Sequence, residues 1–407
     1  MVERAVGNLG LEFFVRIQER LDVFCVVEIR FAQALHSIDK HHVKPSASNP
    51  RLLQVETDTE VKYPLKMRAI RLPILILGLN GVPGYALFRH FNKLYGTSGV
   101  IGIRPIKHPC VFGDNVFGID AEETERLGEL FERFHFGTVI DASGNCALKA
   151  CECDPTRSRL LNYSQGVDAA TFAARYNATL IRISADMVFS GNEKTKPNRP
   201  YVETDPKDPI HNYGKHQAEA EDAITAIMPD AVILRVPLPM DYAPGGCAGA
   251  IDWITYRFRP GRPATLFTDE YRNPLSGPDL CRTVQYILEH EFPAGIYNCG
   301  GPRSVSLYNV GQIVNAVGGY PAELLHGVPR IEGGPMPPRV GDLSINSEKL
   351  YKLLPPGFIK PWPVFDWLVP DSFDWHKTFG RNITDKRKMG SDEAITNLLV
   401  NGIDVEL

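Results

Sequence analysis

Apolar runs and amphipathic segments alternate through the middle of the chain. The runs PILILGL (73–79), GVIGIRP (99–105) and GTVIDAS (137–143) are apolar on both faces, which is typical of buried parallel strands. Between them lie the helix-like segments YALFRHFNKLYG, which Gly96 closes, and AEETERLGELFERFH. Two later strands, TLIRISADMVFSG and DAVILRVPL, flank a further helix that carries YGKHQ. The pattern predicts an α/β fold with a doubly wound parallel sheet covered by helices on both faces.

The chain divides into four predicted segments. Residues 1–66 form an N-terminal extension whose apolar first half is interrupted by charges, so we expect neither a signal peptide nor a membrane span there, and the sequence assigns it no role. Residues 67–235 carry the alternating pattern. Residues 236–354 are richer in Pro and Gly and predict a smaller lobe that is interleaved with the first domain. Residues 355–407 form a C-terminal tail.

The composition is that of an ordinary globular protein, with 43% hydrophobic and 23% charged residues and a formal net charge of −4 over 407 residues. Because basic residues are not in excess, we expect no nucleic-acid partner, and the short apolar runs predict no membrane partner. The eight cysteines show no paired C-x-x-C spacing, so we predict no metal site. Free thiols of this kind suit a reducing cytoplasm, where we expect the protein to reside.

The first predicted strand runs directly into a glycine-rich turn with the spacing G-x-x-G-x-x-G, and a helix follows it. Glycines at this spacing allow a tight turn, close approach of a pyrophosphate and close packing of helix on strand. The turn therefore predicts a Rossmann-type site for a dinucleotide. Its expected binding residues are Gly78, Asn80, Gly81, Val82, Pro83 and Gly84.

The second strand ends at Arg104, where an acidic residue would bind the ribose 2′-hydroxyl of NAD. An arginine at this place accommodates the 2′-phosphate of NADP instead. We therefore expect NADP, with NAD as the alternative. The other interpretation of Arg104 is a solvated loop residue.

Several motifs, in order, resemble the extended short-chain dehydrogenase/reductase superfamily and, within it, the dTDP-4-dehydrorhamnose reductase family. They are GLNGVPG, Asp120 after the third strand, D-P-(x)6-N ending at Asn162, ISADMVFSG, PYVETDPKDPIHNYGK, ILRVPL, RNPLSGPDL, GIYNCGG and PRVGDLSINSEKL. The resemblance covers the chain from the first strand to the last of these motifs. It implies a Rossmann domain, a sugar-nucleotide lobe built from the C-terminal half, and hydride transfer from a nicotinamide to a 4-keto sugar.

The resemblance also implies particular site residues. Further dinucleotide contacts are expected at Asp120, Ala142, Ser143, Tyr213 and Gln217. Substrate contacts are expected at Asn162, Val188, Arg272, Asn273 and Arg339. Of these, Arg339 is the expected partner of the diphosphate, because a guanidinium binds such groups with two parallel, charge-assisted hydrogen bonds.

The residues that deliver a proton to the ketone oxygen depart from the family pattern. Tyr213 is kept, but the lysine expected one helical turn later is Gln217, and the expected Ser or Thr is Ala185. Cys146 likewise stands where a catalytic Thr is expected.

Ser184 and Asp186 flank the altered position Ala185, so the predicted catalytic set is Tyr213, Ser184 and Asp186. A cation near the tyrosine lowers its pKa from about 10, and the amide of Gln217 cannot supply one. Relocation of the charge to Lys149 or to Lys215 is the remaining possibility.

Two functions stay open. The first is an NAD(P)-dependent reductase of a nucleotide-activated 4-keto sugar, as in dTDP-rhamnose biosynthesis, with an altered catalytic set. The second is a catalytically inactive protein that binds NADP or a sugar nucleotide and regulates a partner, resembling the β subunit of methionine adenosyltransferase. The expected small-molecule partner is a nucleotide sugar in both cases. A homodimer and a complex with a regulated protein both remain open.

Overall fold

The computed structural model describes residues 65–246, 248–379 and 390–402. The predicted extension at 1–66 lies almost wholly outside the described residues, as does part of the tail predicted at 355–407. The strands are β1 Ile74–Leu77, β2 Val100–Arg104, β3 Val116–Gly118, β4 Thr138–Asp141, β5 Thr179–Ala185, β6 Val232–Val236, β7 Pro239–Met240, β8 Ala264–Phe267, β9 Tyr271–Arg272, β10 Leu275–Ser276, β11 Gly295–Asn298, β12 Val305–Ser306 and β13 Leu325–Val328. The α-helices are α1 Val82–Gly99, α2 Thr124–Phe134, α3 Leu148–Cys153, α4 Pro155–Arg159, α5 Gln165–Arg175, α6 Asn212–Ile227, α7 Ala250–Phe258, α8 Gly277–Glu289, α9 Leu307–Val317, α10 Glu348–Tyr351, α11 Trp375–Thr378 and α12 Asp392–Ile395.

Seven strands form one sheet in the order β11-β6-β5-β4-β1-β2-β3, and every neighbouring pair is parallel. The predicted doubly wound parallel sheet is therefore confirmed. The chain order reverses between β1 and β4, whose registers align Leu77 with Asp141. In such sheets ligands bind outside the carboxyl ends of the strands at this switch point.

Both faces of the sheet are buried, which explains the continuous apolar runs of the sequence. On β1, Ile74 and Ile76 pack into a cluster that includes Phe91 of α1. Leu75 and Leu77 point to the opposite face, where they join a cluster around Phe131 of α2. Full burial of each such side chain contributes about 1.5–3 kcal/mol to stability. The helix predicted to close at Gly96 does lose helical geometry there, since Gly96 has φ +68°.

A third apolar cluster lies in the C-terminal part of the chain. It is built from α7, β8 and α9, and the tail adds Trp362 and Trp375 to it. The indole N–H of Trp362 donates to the carbonyl of Leu399 at 2.7 Å, which fixes the end of the tail to this lobe. Across the described ranges, no helix combines the length and the apolar character needed to span a bilayer.

Candidate functional site

The three glycines of the turn after β1 have different tasks. Gly78 has φ +85°, and a Cβ there would lie 2.2 Å from the carbonyl oxygen of Ala142. A Cβ on Gly84 would lie 2.2 Å from the carbonyl oxygen of Gly78, so both positions exclude any side chain. At Gly81 the nearest atom is 3.5 Å away, which is ordinary contact. Gly81 thus leaves space on its outer side rather than serving internal packing, as a site that admits a pyrophosphate requires.

The N-terminus of α1, which follows the turn, has features of an anion-binding site. Gly81 is its N-cap with extended backbone, no side chain caps it, and a proline stands in its first turn. The unpaired N–H groups of a helix N-terminus attract phosphate. Pro83 has no N–H and that of Gly81 donates to the carbonyl of Gly78 at 3.0 Å, so Val82 and Gly84 are the N–H groups of this turn that can face a phosphate. Dinucleotide contacts of Val82, Pro83 and the glycines stay predictions.

Three residues predicted to contact the dinucleotide also hold the loop between β2 and β3. The amide of Asn80 donates to the carbonyl of His108 at 3.0 Å. Arg104 donates through Nε to the carbonyl of Val111 at 2.8 Å, and Asp120 accepts from the N–H of Ile106 at 2.9 Å. Their roles toward a dinucleotide stay predictions.

Tyr213 is half-buried in the first turn of α6 and is positioned by its neighbours in that turn. The fully buried His211 caps the helix, and its Nδ1 accepts from the N–H of Gly214 at 2.9 Å. Burial lowers the pKa of His211 to about 4, so its ring is neutral and can accept. A Cβ on Gly214 would lie 2.1 Å from the carbonyl oxygen of Met187, so the helix start packs directly on the segment after β5.

Gln217, at the expected lysine position, contacts a buried arginine. Its Oε1 accepts from Nη2 of Arg182 at 3.0 Å, and both residues are at most 3% exposed. Nη1 of Arg182 also donates to Asp141 Oδ2 at 2.5 Å and to the backbone and side-chain oxygens of Ser143 at 3.2 Å. Ser143 in turn donates its N–H to Asp141 Oδ1 at 2.9 Å. Because Ala142 lies against Gly78, this network connects the glycine turn to α6.

The two residues that flank Ala185 have buried partners. The hydroxyl of Ser184 donates to Glu221 Oε1 at 2.7 Å. The carboxylate of Asp186 is fully buried and forms an ion pair with Arg272. The predicted catalytic roles of Ser184 and Asp186 are not decided by these contacts.

Arg272 forms a buried charged cluster with two carboxylates. Beside its pair with Asp186, its Nη1 lies 3.6 Å from Oε1 of Glu270. Burial raises the pKa of Glu270 to about 7, helped by repulsion from Asp186 and opposed by Arg272. Burial opposes the charge of Arg272, and the two carboxylates beside it hold its pKa above the usual value.

The loop after β4 lies against α6, since a Cβ on Gly144 would lie 3.4 Å from Nε2 of Gln217. Cys146 is exposed in this loop. Asn162 is fully buried, and its side chain accepts from the N–H of Asn145 at 2.8 Å and thereby fixes the loop. Lys149 and Lys215 are both exposed.

The remaining predicted substrate residues differ in what they can offer a ligand. Val188 is fully buried, and the amide of Asn273 is engaged by the carbonyl of Gly301 and the N–H of Ile345. Arg339 lies over the ring of Phe267 at 5.1 Å, and burial lowers its pKa to about 10. Among the described residues no carboxylate pairs with Arg339, and its buried Nε has no hydrogen-bond partner. An unpaired, desolvated guanidinium is suited to bind an anion.

The structure thus brings the glycine turn, Ala142, Ser143, Gln217 and the start of α6 to one edge of the sheet. The sequence pattern did not single out Arg182, Glu270 or His211. The available signal for Arg182 was a charged residue inside a strand that was otherwise apolar on both faces, since such a residue needs a buried partner. For Glu270 and His211 the sequence carried no comparable signal.

Comparison with known proteins matches residues 72–337 to the model of the RmlD substrate binding domain. A probable low-salt glycan biosynthesis reductase, Agl14 of Haloferax volcanii, is 25% identical over 254 residues, 61% of this chain and 81% of that protein. The β subunit of methionine adenosyltransferase 2 from Rattus norvegicus is 26% identical over 40% of this chain and 46% of its own length. Among solved structures, a dTDP-4-dehydrorhamnose reductase of Bacillus anthracis in complex with NADP has a TM-score of 0.58 at 15% identity, covering 77% of this chain and 98% of that one. The last likeness is one of fold.

Proposed function

Because this chain belongs to the RmlD substrate binding domain family, we propose that it reduces the 4-keto group of a nucleotide-activated sugar with NADPH or NADH. The observation that carries the proposal is the continuous path from the glycine turn through Ala142, Arg182 and Gln217 to the helix that presents Tyr213. It joins a dinucleotide cradle and a proton donor at one edge of the sheet. Relatives named as reductases support it.

The protein's own residues supply binding and a proton. A reduced nicotinamide, when bound, provides the hydride that adds to the carbonyl carbon. The carbonyl oxygen then takes the proton of the Tyr213 hydroxyl, and the resulting phenolate regains a proton from solvent. Burial raises the pKa of Tyr213, so its hydroxyl is protonated at neutral pH and ready to donate in the direction of reduction. Ser184 and Asp186 are proposed to support this step.

Two arginines account for the charge of the substrate and the dinucleotide. Arg339, the buried cation without a described carboxylate partner, is the proposed contact of the substrate diphosphate. Arg104, at the end of β2, is the proposed contact of the ribose 2′-phosphate, which would make NADP the preferred dinucleotide. Arg272, held by Asp186 and Glu270, is proposed to contact the substrate.

A second function is supported by a specific observation. The family's support positions are altered at Gln217, Ala185 and Cys146, and one relative is a methionine adenosyltransferase β subunit. The alternative is therefore a protein that binds a dinucleotide or a sugar nucleotide, does not turn it over, and regulates a partner.

The test measures binding and turnover separately on the full chain. Calorimetry with NADPH and NADH reports the dinucleotide site, and loss of absorbance at the nicotinamide band reports reduction of a dTDP-4-keto-6-deoxy sugar generated in situ. The Tyr213→Phe variant is expected to lose about 10²–10⁴-fold in turnover with unchanged dinucleotide affinity, because it removes only the proton donor. Binding by the wild type without turnover supports the second function, and absence of dinucleotide binding refutes the first.

A further inference from the structure

The loss of the expected lysine does not leave this region without a cation. Arg182 enters from the middle of β5 and its Nη2 lies 3.0 Å from Oε1 of Gln217. The guanidinium is only 1% exposed. Arg182 therefore places its charge directly beside the side chain at the lysine position.

The position of the Arg182 guanidinium is fixed from several sides. Asp141 binds Nη1, as do both oxygens of Ser143, and the carbonyl of Asn162 lies 3.5 Å from Nη2. Asp141 ends β4, next to the strand that leads into the glycine turn. These contacts hold the guanidinium in one place, and it shares its charge with the buried carboxylate of Asp141.

Contact with Arg182 also determines which way the Gln217 amide faces. A guanidinium only donates hydrogen bonds, so the oxygen of Gln217 must point to Arg182 and its nitrogen must point the other way. Nε2 lies 3.4 Å from where a Cβ of Gly144 would be. Gly144 is exposed in the loop that lines the cleft, so the N–H₂ group of Gln217 faces that loop.

We infer that Arg182 and Gln217 together replace the lysine of the family: Arg182 supplies the fixed positive charge beside Tyr213, and Gln217 donates an N–H to the ribose of the bound dinucleotide. The inference rests on the proposed reductase function. Arg182 is a positioning residue in this scheme, since it acts through Gln217 and through its field on Tyr213. Lys149 and Lys215, both exposed, are not needed for it.

The charges around Tyr213 are consistent with this division of tasks. Arg182 lowers the pKa of Tyr213, whereas burial raises it more strongly, as do neighbouring groups. The titratable or charged groups that face the tyrosine or its helix start include Cys146, Cys151, Glu152, Arg182, Asp186, His211, Lys215 and Arg272. The phenol is therefore kept protonated before transfer, and Arg182 stabilises the phenolate formed by it.

A charge-exchange experiment tests the inference. The variants are Arg182→Met, Gln217→Lys and the double variant, assayed for turnover across pH and for dinucleotide affinity by calorimetry. Arg182→Met removes the cation and is expected to cost about 100-fold in turnover, the scale of losing one preorganised electrostatic contact. Gln217→Lys brings a second cation next to Arg182 and is expected to weaken dinucleotide affinity about tenfold. The double variant restores one cation and is expected to recover most of both losses.

Two further variants test whether misfolding, rather than loss of the charge, causes the losses of turnover and affinity. Arg182→Lys keeps the charge and is expected to retain more turnover than Arg182→Met. The Arg235→Met, Glu221→Leu double variant removes a buried ion pair from the neighbouring strand and is expected to leave dinucleotide affinity unchanged. Thermal unfolding of each variant checks that it is folded at the assay temperature.

The outcomes separate this inference from the proposed function. Recovery in the double variant, together with an alkaline shift of the turnover profile in Arg182→Met, supports the inference, because loss of the cation raises the pKa of Tyr213. If Gln217→Lys alone raises turnover while Arg182→Met has no effect, the inference is refuted and the reductase function stands. If the wild type binds no dinucleotide, both fail together.

Discussion

Two buried arginines lie on neighbouring strands and are partnered in opposite ways. Arg235 of β6 directs Nε and Nη2 to the two oxygens of Glu221, at 2.9 and 2.7 Å, in a closed bidentate pair. Arg182 of β5 is equally buried but divides its N–H groups between Asp141, Ser143 and Gln217. Its Nε has no partner among the described residues.

The difference indicates two uses for the same buried side chain. The bidentate pair satisfies both charges, as a structural ion pair requires, and Nζ of Lys207 lies a further 3.7 Å from Oε2 of Glu221. A guanidinium that shares its N–H groups among several partners orients all of them at once. The partners of Arg182 lie at the carboxyl ends of the strands, where the proposed dinucleotide site begins. Arg235 therefore serves the fold, whereas Arg182 connects the fold to the site.

The largest expected effect in this comparison of the two arginines is on the free energy of unfolding. Glu221→Ala leaves the buried charge of Arg235 unpaired and is expected to lower the free energy of unfolding by about 3–5 kcal/mol. Chemical denaturation measures it. The control is the Arg235→Met, Glu221→Leu variant, which removes both charges and is expected to be near neutral. Equal losses in the single and the double variant would show that the pair is not a closed structural unit.

A third buried arginine extends the comparison to pH dependence. Arg272 is shared by Asp186 and Glu270, and the pKa of Glu270 is raised from 4.5 to about 7, mainly by burial. A carboxyl group with a raised folded-state pKa favours the folded state while protonated. Its contribution is therefore complete below pH 4.5 and is lost as the pH rises through 7.

Comparison with Glu270→Gln isolates this contribution. The stability of the wild type relative to that variant is expected to fall by on the order of 3 kcal/mol between pH 4.5 and 7.5. Denaturation curves at a series of pH values measure it, with Glu125→Gln, an exposed carboxylate on α2, as the matched control. A difference that stays constant with pH would mean that Glu270 has the same pKa in the folded and unfolded states.

The sheet with its glycine turn and the network around Arg182 differed in how far the sequence could predict them. The sheet and the glycine turn were predictable because each depends on local pattern: strands apolar on both faces, and glycines at fixed spacing. The network around Arg182 was not, because its partners Asp141 and Gln217 are 41 and 35 positions away along the chain. Which of several polar residues meet in a buried network is decided by the packing of strands and helices, not by spacing.

The smallest predicted effect concerns Ser184, which the sequence placed in the catalytic set. Its hydroxyl donates to Oε1 of Glu221, an oxygen that Nε of Arg235 also binds. Because Arg235 continues to satisfy that carboxylate, Ser184→Ala is expected to cost only about 1.5 kcal/mol, the lower end for a hydrogen bond to a charged group.

The same Ser184→Ala variant separates the two arginine systems functionally. If Ser184 belongs only with Arg235 and Glu221, turnover of the folded protein is expected to stay within about twofold of the wild type, well below the effect of a general acid–base group. Steady-state assays with denaturation of the same preparation measure both quantities. A loss of turnover of about 10²-fold or more at the same modest cost in stability would support the proposed catalytic role of Ser184. It would also mean that the Glu221 carboxylate, and with it Arg235, acts on the chemistry as well as on the fold.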